Sequence, residues 1–242
     1  GKMPVATFTR AQGRAMAARR GTGWTQELYD VRSAVQLLFL IEYASFYSQS
    51  MIGAGITNVG DWGDYYPLAK AGNSNAIGNA TGNTAGSTSC ATESTKYMSY
   101  RGIEQWYGHI YKFLDGINTN NRRSYVCNVA ANLADDTSTN YTDIGVSNVA
   151  TDGYQATLLN ISRGFLPASV GADSATKITD YYYQSTGWRV AYSGGSAFYA
   201  GAAGAFCLAL YDGSSATSSM IGSRLCFRAV SAVKPHYYYL QQ

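Results

Sequence analysis

A stretch late in the chain, residues 187–227, has a composition suited to molecular recognition. Its middle alternates Gly, Ala and Ser with single larger residues, namely Tyr192, Phe198, Tyr199, Tyr211 and Asp212, while Lys, Glu, Gln, Asn, Pro and His are absent. Tyrosine gives a large, stiff, amphipathic contact area at low entropic cost, and small residues between the rings let a partner approach closely. The pattern favours a binding surface over a reaction centre. The alternative is an ordinary strand and loop whose tyrosines have no binding role.

The sulfur and imidazole groups of the chain are too scattered to indicate catalysis. The cysteines are Cys90, Cys127, Cys207 and Cys226, and the histidines are His109 and His236. No C-x-x-C spacing occurs, so the sequence indicates neither a structural zinc site nor a Cys/His catalytic pair. Cys207 and Cys226 meet if the last two strands are neighbours, although buried free thiols are the commoner state in a chain of this size. We expect no cofactor and no metal.

Five carboxylates at three places in the chain are candidates for reactive or metal-binding groups. Glu42 lies inside a helical pattern, where a carboxylate hydrogen-bonded to backbone is the favoured interpretation and a catalytic acid is the alternative. Asp61 with Asp64, and Asp135 with Asp136, have the spacing of a calcium pair, but neither pair sits in an ordered ligand loop. Surface turns are the expectation for both.

The charge distribution argues against nucleic acid as a partner. The net charge is +3, and the visible basic cluster is Arg10, Arg14, Arg19 and Arg20. On a helix Arg10 and Arg14 share a face, and we expect a solvated surface because no further basic patches alternate with aromatics. No apolar run is long enough to cross a bilayer, so no membrane insertion is expected.

Two helices are predicted in the first fifth of the chain. The first runs from Phe8 to Arg20 and stops at Gly21 and Gly23. The second runs from Gln26 to about Ser48, because its apolar residues recur at three- and four-residue steps. Its apolar face is broad, which indicates a helix packed on a sheet and covered by other parts of the chain.

The rest of the chain reads as β-rich. Strands are predicted at 110–114, 125–129, 154–159, 206–211 and 221–227. In 206–211 the period of two directs Phe206, Leu208 and Leu210 to a core face and Cys207, Ala209 and Tyr211 to the opposite, displayed face. Residues 61–99 are rich in Gly, Asn, Ser and Thr and are expected to form a long irregular insertion. With 46% hydrophobic residues, residues 1–242 are expected to form a single domain.

Three ordered motifs resemble a known family. They are GIEQWYGHIYKF at 102–113, WRV at 188–190 followed by GGS at 194–196, and IGSR at 221–224. Together they resemble the signatures of the formylglycine-generating-enzyme branch of the C-type lectin fold. The resemblance implies an α+β, C-type lectin-like fold, with two N-terminal helices packed on short antiparallel sheets with long loops.

Within that branch the chain is more similar to the variable proteins of diversity-generating retroelements. Their variable regions read like GGSANNGANAGAFCLNLNN…NANIGSRLCF, and this chain reads GGSAFYAGAAGAFCLALYDGSSATSSMIGSRLCF. The framework residues in place are Gly194, Gly195, Ser196, Gly204, Ala205, Phe206, Cys207, Leu208, Leu210, Ile221, Gly222, Ser223, Arg224 and Leu225. The positions that differ mostly carry Asn in the family pattern.

The resemblance implies that an error-prone reverse transcriptase mutates template adenines, which turns an AAC codon into Tyr, Phe, Ser, Ala, Asp or Gly but never into Lys, Glu, Gln or Trp. The implied variable, ligand-binding positions are Tyr192, Phe198, Tyr199, Ala202, Ala209, Tyr211, Asp212, Ala216, Ser218 and Met220. Met220 does not fit an AAC codon, and Tyr192 lies outside the clear Asn pattern.

These likenesses imply a hypervariable receptor-binding domain of a phage tail fibre or a surface-displayed adhesin. The implied partner is a host or target cell-surface protein or glycan, the implied location is the virion or the extracellular cell surface, and a fibre tip implies a trimer. A fixed-specificity, carbohydrate-binding lectin-like module is the alternative. Formylglycine-generating enzymes need two closely spaced cysteines late in the chain, whereas Cys207 and Cys226 are far apart, so we expect no enzyme activity.

Overall fold

A curled, nine-stranded β-sheet that forms a half-barrel is the centre of the fold. The computed structural model describes residues 2–58, 69–85, 96–161 and 163–228. The helices are α1 (Arg10–Ala18), α2 (Tyr29–Tyr43) and α3 (Ser48–Met51). The strands outside the main sheet are β1 (Trp24–Gln26), β2 (Gly82–Ala85), β3 (Lys96–Tyr100), β4 (Ile103–Glu104) and β14 (Leu225–Phe227). The main sheet contains β5 (Tyr111–Asn120), β6 (Arg123–Val126), β7 (Thr142–Ser147), β8 (Gly153–Ile161), β9 (Gly164–Val170), β10 (Tyr181–Gln184), β11 (Trp188–Ser193), β12 (Leu208–Leu210) and β13 (Ile221–Gly222).

The strand order of the main sheet is β7-β6-β5-β11-β12-β10-β8-β9, with β13 beside β5. Strands β10 and β12 pair in parallel, as do β13 and β5, and the other pairs in this sheet are antiparallel. The predicted strands at 110–114 and 154–159 are present as β5 and β8, whereas only residues 125 and 126 of the predicted strand 125–129 lie in a strand, β6. The mixture of helices and sheet agrees with an α+β class. The expected set of short antiparallel sheets is wrong, because one large sheet with two parallel pairings carries most strands.

Helix α1 confirms the first predicted helix. Thr9 caps it through a capping box, in which the Thr9 Oγ1 accepts from the Gln12 backbone N–H (3.2 Å) and the Gln12 Oε1 accepts from the Thr9 backbone N–H (2.9 Å). Such a box satisfies two N–H groups that the helix leaves unpaired. Gly21 follows with a φ of 112°, a left-handed conformation that suits glycine and ends the helix.

The arginines of α1 are not the solvated face that the sequence predicted. Arg10 is fully buried, and its guanidinium donates to the Asp135 carboxylate at 2.6 Å. Arg14 forms ion pairs with Asp115 and with Asp135, both at 2.6 Å. These buried pairs bind α1 to β5 and to the loop after β6. Breaking a buried pair costs more than an exposed pair contributes, so these charges hold the helix in place.

Helix α2 begins later than predicted, and Trp24–Gln26 forms a strand instead. These residues pair antiparallel with β14, so the helix starts only at Tyr29. It ends at Tyr43, where Ala44 adopts a left-handed φ of 47°. A pairing partner two hundred residues away therefore overrides the local helical pattern at its start.

The apolar circumference of α2 is not covered by the described chain. Leu37, Leu38 and Ile41 are 49%, 47% and 73% exposed. Arg32 and Gln36 are buried instead, and both donate to backbone carbonyl groups of loops beside the sheet. The helix thus turns its long polar side chains inward, where they satisfy loop backbone, and several of its leucines outward.

Two predicted segments near the ends of the sheet need correction. The segment 221–227 is not one strand: β13 pairs with β5 and β14 pairs with β1. Leu225 and Phe227 are consequently exposed by 42% and 56% and do not lie in the core. The predicted irregular insertion contains β2 and β3, which join β4 in a three-stranded sheet, and a 3-10 helix at Asn75–Ile77. Asp61 and Asp64 lie outside the described residues.

No helix in the described part of the chain is long and apolar enough to cross a membrane.

Candidate ligand-binding surface

The candidate site begins with a row of side chains that crosses four neighbouring strands. Tyr183 on β10 lies opposite Ala209 on β12, Ala209 lies opposite Tyr192 on β11, and Tyr192 lies opposite Phe113 on β5. Residues that pair in register point to the same face of a sheet. The row therefore places the small side chain of Ala209 between two tyrosine rings.

Two tyrosines of this row and three neighbouring tyrosines form a closed circuit of rings, which we call the tyrosine cluster. Its members are Tyr111, Tyr183, Tyr192, Tyr199 and Tyr211. Successive ring centroids are 5.4 Å apart for Tyr111 and Tyr199, 5.6 Å for Tyr199 and Tyr183, and 5.8 Å for Tyr183 and Tyr211. Tyr211 and Tyr192 follow at 5.7 Å, and Tyr192 and Tyr111 close the circuit at 4.8 Å. Tilted and edge-on contacts at these distances are favourable aromatic geometries.

The tyrosine cluster has a buried floor and an accessible rim. Tyr111 and Tyr192 are buried, whereas Tyr183 and Tyr199 are half-buried and Tyr211 is 38% exposed. The Tyr192 hydroxyl donates to Asp212 Oδ2 at 2.7 Å. Burial raises the pKa of Tyr183, Tyr192 and Tyr211, so these phenols stay protonated at neutral pH. The rim thus offers a partner aromatic faces and neutral hydroxyl groups.

The loop between β11 and β12 delivers Tyr199 to this circuit, and glycines shape it. Gly194 and Gly195 have φ values of 92° and 72°, and a Cβ on Gly195 would strike Ala203. A Cβ on Gly204 would strike the Asp180 carboxylate. That carboxylate accepts from the Phe206 backbone N–H at 2.7 Å, so it fixes the loop where it enters β12.

The same loop is tied to the segment that contains α3. Gln49 Nε2 donates to the carbonyl oxygens of Ala200 and Ala203 at 2.7 and 2.6 Å. The Ala200 N–H donates to the Thr57 carbonyl at 2.7 Å. Phe198 packs beside a small core cluster that contains Ile56. Because its backbone is satisfied by these bonds, the loop presents its side chains from a fixed position.

The structure brings five of the ten predicted variable residues together at one place. Tyr192, Tyr199, Ala209, Tyr211 and Asp212 all lie in or directly beneath the tyrosine cluster. The remaining five lie in the two loops that flank β12. Phe198 and Ala202 are in the loop before it, and Ala216, Ser218 and Met220 are in the loop after it.

The loop after β12 approaches the cluster through its last residue. The Met220 carbonyl accepts from the Tyr111 backbone N–H at 2.8 Å, and the Met220 sulfur lies 4.0 Å from Ser196 Oγ. The Ser218 carbonyl accepts from the Thr7 backbone N–H at 3.0 Å. Ala216 is half-buried and its N–H donates to the Gly213 carbonyl.

The predicted two-sided pattern of β12 is correct in direction and wrong in exposure. Leu208 and Leu210 lie in a core cluster with Tyr29 of α2, and Cys207 and Ala209 point to the opposite side. That opposite side is not displayed, because Cys207 and Ala209 are completely buried. Their neighbours in the sheet carry tyrosines on the same face, and these rings close over the two small residues.

Three of the predicted variable residues are buried. The exposed fractions are 0% for Tyr192, 8% for Ala202 and 0% for Ala209. The other seven predicted variable positions are half-buried or exposed, whereas eleven of the fourteen predicted framework positions are buried. Most of the predicted variable positions therefore lie where the chain contacts solvent, and most of the predicted framework lies where a side chain is enclosed.

Sequence reasoning missed two members of the tyrosine cluster and one neighbour of it. Tyr111 and Tyr183 close the circuit, and the Tyr181 ring continues it at 4.6 Å from Tyr183. The alternation in Tyr181-Tyr182-Tyr183 was the available signal. A period of two places Tyr181 and Tyr183 on the face opposite Tyr182, and Tyr182 is fully buried on the α2 side. Nothing local shows that this strand lies beside β12.

Other predicted groups are far from a reactive arrangement. Cys127, Cys207 and Cys226 are free thiols, and Cys90 lies outside the described residues. Burial raises the pKa of Cys207, whose sulfur lies 3.9 Å from the Tyr111 hydroxyl. Glu42 is bonded to side chains and not to backbone, accepting from the Tyr100 hydroxyl at 2.9 Å and from Arg101 Nε at 3.0 Å.

The two aspartates of the candidate calcium pair 135/136 have other partners. Asp135 is occupied by Arg10 and Arg14, and Asp136 accepts from the Ser214 hydroxyl. Among the described residues, no group of three or more His, Cys, Asp or Glu side chains is placed to hold a metal ion.

The chain matches no protein-family model, and no curated protein is significantly similar to it.

Proposed function

We propose that this protein is a ligand-binding domain that recognises a cell-surface protein or glycan through the rim of the tyrosine cluster. The observation that carries the proposal is convergence. Residues 192, 199 and 209–212 come from three segments, namely β11, the loop after it, and β12 with its end, yet the side chains of residues 192, 199, 209, 211 and 212 meet at one circuit of rings. The rim residues Tyr183, Tyr199 and Tyr211 are accessible to a partner.

The physical properties of the rim suit a binding site. Binding energy in interfaces concentrates in a few large side chains, with tyrosine among the most frequent, surrounded by contacts that exclude water. The rings are held by one another and by Asp212, so little side-chain entropy remains to be lost on binding.

We also propose that a retroelement diversifies the rim, in a protein displayed on a virion fibre or on a cell surface. The division between enclosed framework and accessible replaced positions supports this, since surface changes usually alter stability little. Presentation of several copies, as in a trimeric fibre tip, would raise a modest single-site affinity through avidity.

The DNA around the gene tests the retroelement proposal directly. It should contain a near-copy of the segment encoding residues 187–227, with adenines at the codons of the replaced positions, together with a reverse-transcriptase gene. A complete locus with neither element would contradict diversification. It would leave the tyrosine cluster as the site of a binder with fixed specificity.

A further inference from the structure

A second concave region lies apart from the tyrosine cluster. It is an open cavity of about 680 Å³ lined by Pro4 and by three segments, 70–79, 102–112 and 223–225. None of the ten predicted variable residues lines it, and neither do the rings of the tyrosine cluster. Small-molecule sites occupy roughly 300–1,000 Å³, so the cavity has the size of a ligand site.

Two buried or half-buried basic side chains reach this cavity, and neither forms an ion pair with a described residue. Lys112 is 5% exposed, and its ammonium donates to the Gly108 carbonyl at 2.7 Å. Arg224 donates through Nη2 to the carbonyls of Glu104 and Gln105, and among the described residues its buried Nε has no hydrogen-bond partner. Burial holds the pKa of Lys112 well below its usual range, and the charge of Arg224 acts in the same direction while the buried Glu27 carboxylate opposes it. A ligand carboxylate beside Lys112 would favour its charged form.

The one carboxylate among the described lining residues is already engaged. Glu104 accepts from the backbone N–H groups of Gly72 and Ser74 at 2.7 and 2.5 Å, and from the Ser74 hydroxyl at 2.6 Å. Both of its oxygens are used to hold the segment 72–74 against β4. It does not form an ion pair with Lys112 or Arg224, so an anion from outside can fill that role.

Two uncharged side chains in the lining are buried with unmet hydrogen-bonding capacity. Gln105 is 6% exposed, and among the described residues neither its Oε1 nor its Nε2 has a hydrogen-bond partner. His109 is also 6% exposed, and its Nε2 has no hydrogen-bond partner in the same part of the chain. A buried polar atom left unpaired costs about 1–3 kcal/mol. Both residues also hold left-handed backbone conformations, with φ of 48° and 62°, which are disfavoured and often occur at ligand sites.

We propose that this cavity binds a sugar acid, a small carbohydrate that carries a carboxylate. Lys112 and Arg224 hold the carboxylate, while Gln105 and His109 bond to the hydroxyl groups. Gln105 Oε1 is an acceptor that needs a donor from the ligand, and a sugar hydroxyl supplies one. The site is distinct from the tyrosine cluster and does not depend on the proposed function of that cluster.

Titration calorimetry with D-glucuronate tests the assignment on the full chain. D-Glucose has similar hydroxyl groups without the charge, and inorganic phosphate has the charge without the sugar hydroxyls. We expect glucuronate to bind at least tenfold more tightly than either. Equal binding of glucose, equal binding of phosphate, or no binding of glucuronate would each overturn the proposal.

Substitutions place the binding in the cavity. Lys112→Met removes the buried charge at similar length and is expected to weaken glucuronate binding at least tenfold. Lys177→Met makes the same charge change at an exposed position outside the cavity and is expected to alter binding less than twofold. Wild-type affinity in folded Lys112→Met protein would overturn the proposal.

A second variant covers the case in which Lys112→Met fails to fold. Ser223 is exposed at the cavity edge, and Ser223→Trp is expected to abolish glucuronate binding by filling the entrance. Tyr211→Ala is expected to leave that binding unchanged. If Tyr211→Ala abolishes it and Ser223→Trp does not, the sugar acid binds at the tyrosine cluster and the cavity assignment is wrong.

Discussion

The two faces of strand β12 are built from the same three-residue strand and its flanks, yet they differ in what surrounds them. On the α2 side, Leu208 and Leu210 join an apolar core that the helix closes. On the other side, Cys207 and Ala209 are closed over by tyrosine rings, and the outermost ring, Tyr211, reaches solvent. This second face therefore has a floor that behaves as core and a rim that is accessible to solvent.

The largest effect is expected on the α2 side. Leu208→Ala should lower the free energy of unfolding by about 2–5 kcal/mol, because it leaves a cavity in the core. Urea unfolding measures the loss. Leu225→Ala is the matched control, since the same atoms are removed from a side chain that is 42% exposed, and its cost should be clearly smaller. Equal costs would break the contrast between core and surface.

The next largest loss of stability is expected from a larger side chain in the floor of the tyrosine cluster. Ala209→Tyr is expected to destabilise the protein by about 1–3 kcal/mol, because the new ring has to displace Tyr183 or Tyr192. Ala216→Tyr changes the same residue type in a loop and is expected to cost less than about 0.5 kcal/mol. If Ala209→Tyr is as stable as wild type, the floor is not core-like.

Removing one phenol should have a smaller effect that depends on pH. Tyr192→Phe loses the hydrogen bond to Asp212 and is expected to cost about 1 kcal/mol near neutral pH. The folded protein keeps the Tyr192 proton above the usual pKa of about 10, whereas the unfolded chain releases it, so stability falls as pH rises above 10.

The slope of that alkaline loss should be shallower in Tyr192→Phe than in wild type, by at most ~1.4 kcal/mol per pH unit. Unfolding curves recorded at pH 7 and between pH 10 and 11 measure it. Identical slopes would show that Tyr192 is not enclosed as the structure has it.

The smallest effect on stability is expected at the rim. Tyr211→Ala should cost about 0.5 kcal/mol, because the ring is 38% exposed. It should nevertheless weaken ligand binding at least tenfold, as interface tyrosines often do. Flow cytometry with labelled protein and cells of the source community measures binding. Tyr125 is a half-buried tyrosine outside the cluster, and its ring lies 5.9 Å from that of Trp188. Tyr125→Ala should leave cell binding unchanged.

The sequence predicted local features of the fold well. The end of helix α1 follows from its terminal glycines, and the opposite directions of Leu208 and Ala209 follow from the period of two. These signals depend only on neighbours along the chain. The same alternation in Tyr181 and Tyr183 places both rings on one face.

Features that depend on distant partners were not predictable. Ala209 appeared displayed because its covering rings come from β10 and β11, whose positions beside β12 are not written in the local pattern. Arg10 appeared solvated because its partner, Asp135, lies 125 residues away. The predicted start of α2 at Gln26 was wrong because Trp24–Gln26 pairs with β14. The circuit of tyrosine rings likewise depends on which strands are neighbours in the sheet, and this cannot be read from the local sequence.

The central claim is that the rim of the tyrosine cluster is the variable recognition site, and population sequencing of the segment encoding residues 187–227 tests it most directly. The account predicts many residue types at 198, 199, 211 and 212, mainly small residues at the enclosed position 209, and an unchanged framework at Gly194, Gly195 and Leu208. A uniform sequence, or substitutions spread equally over framework and rim, would contradict it.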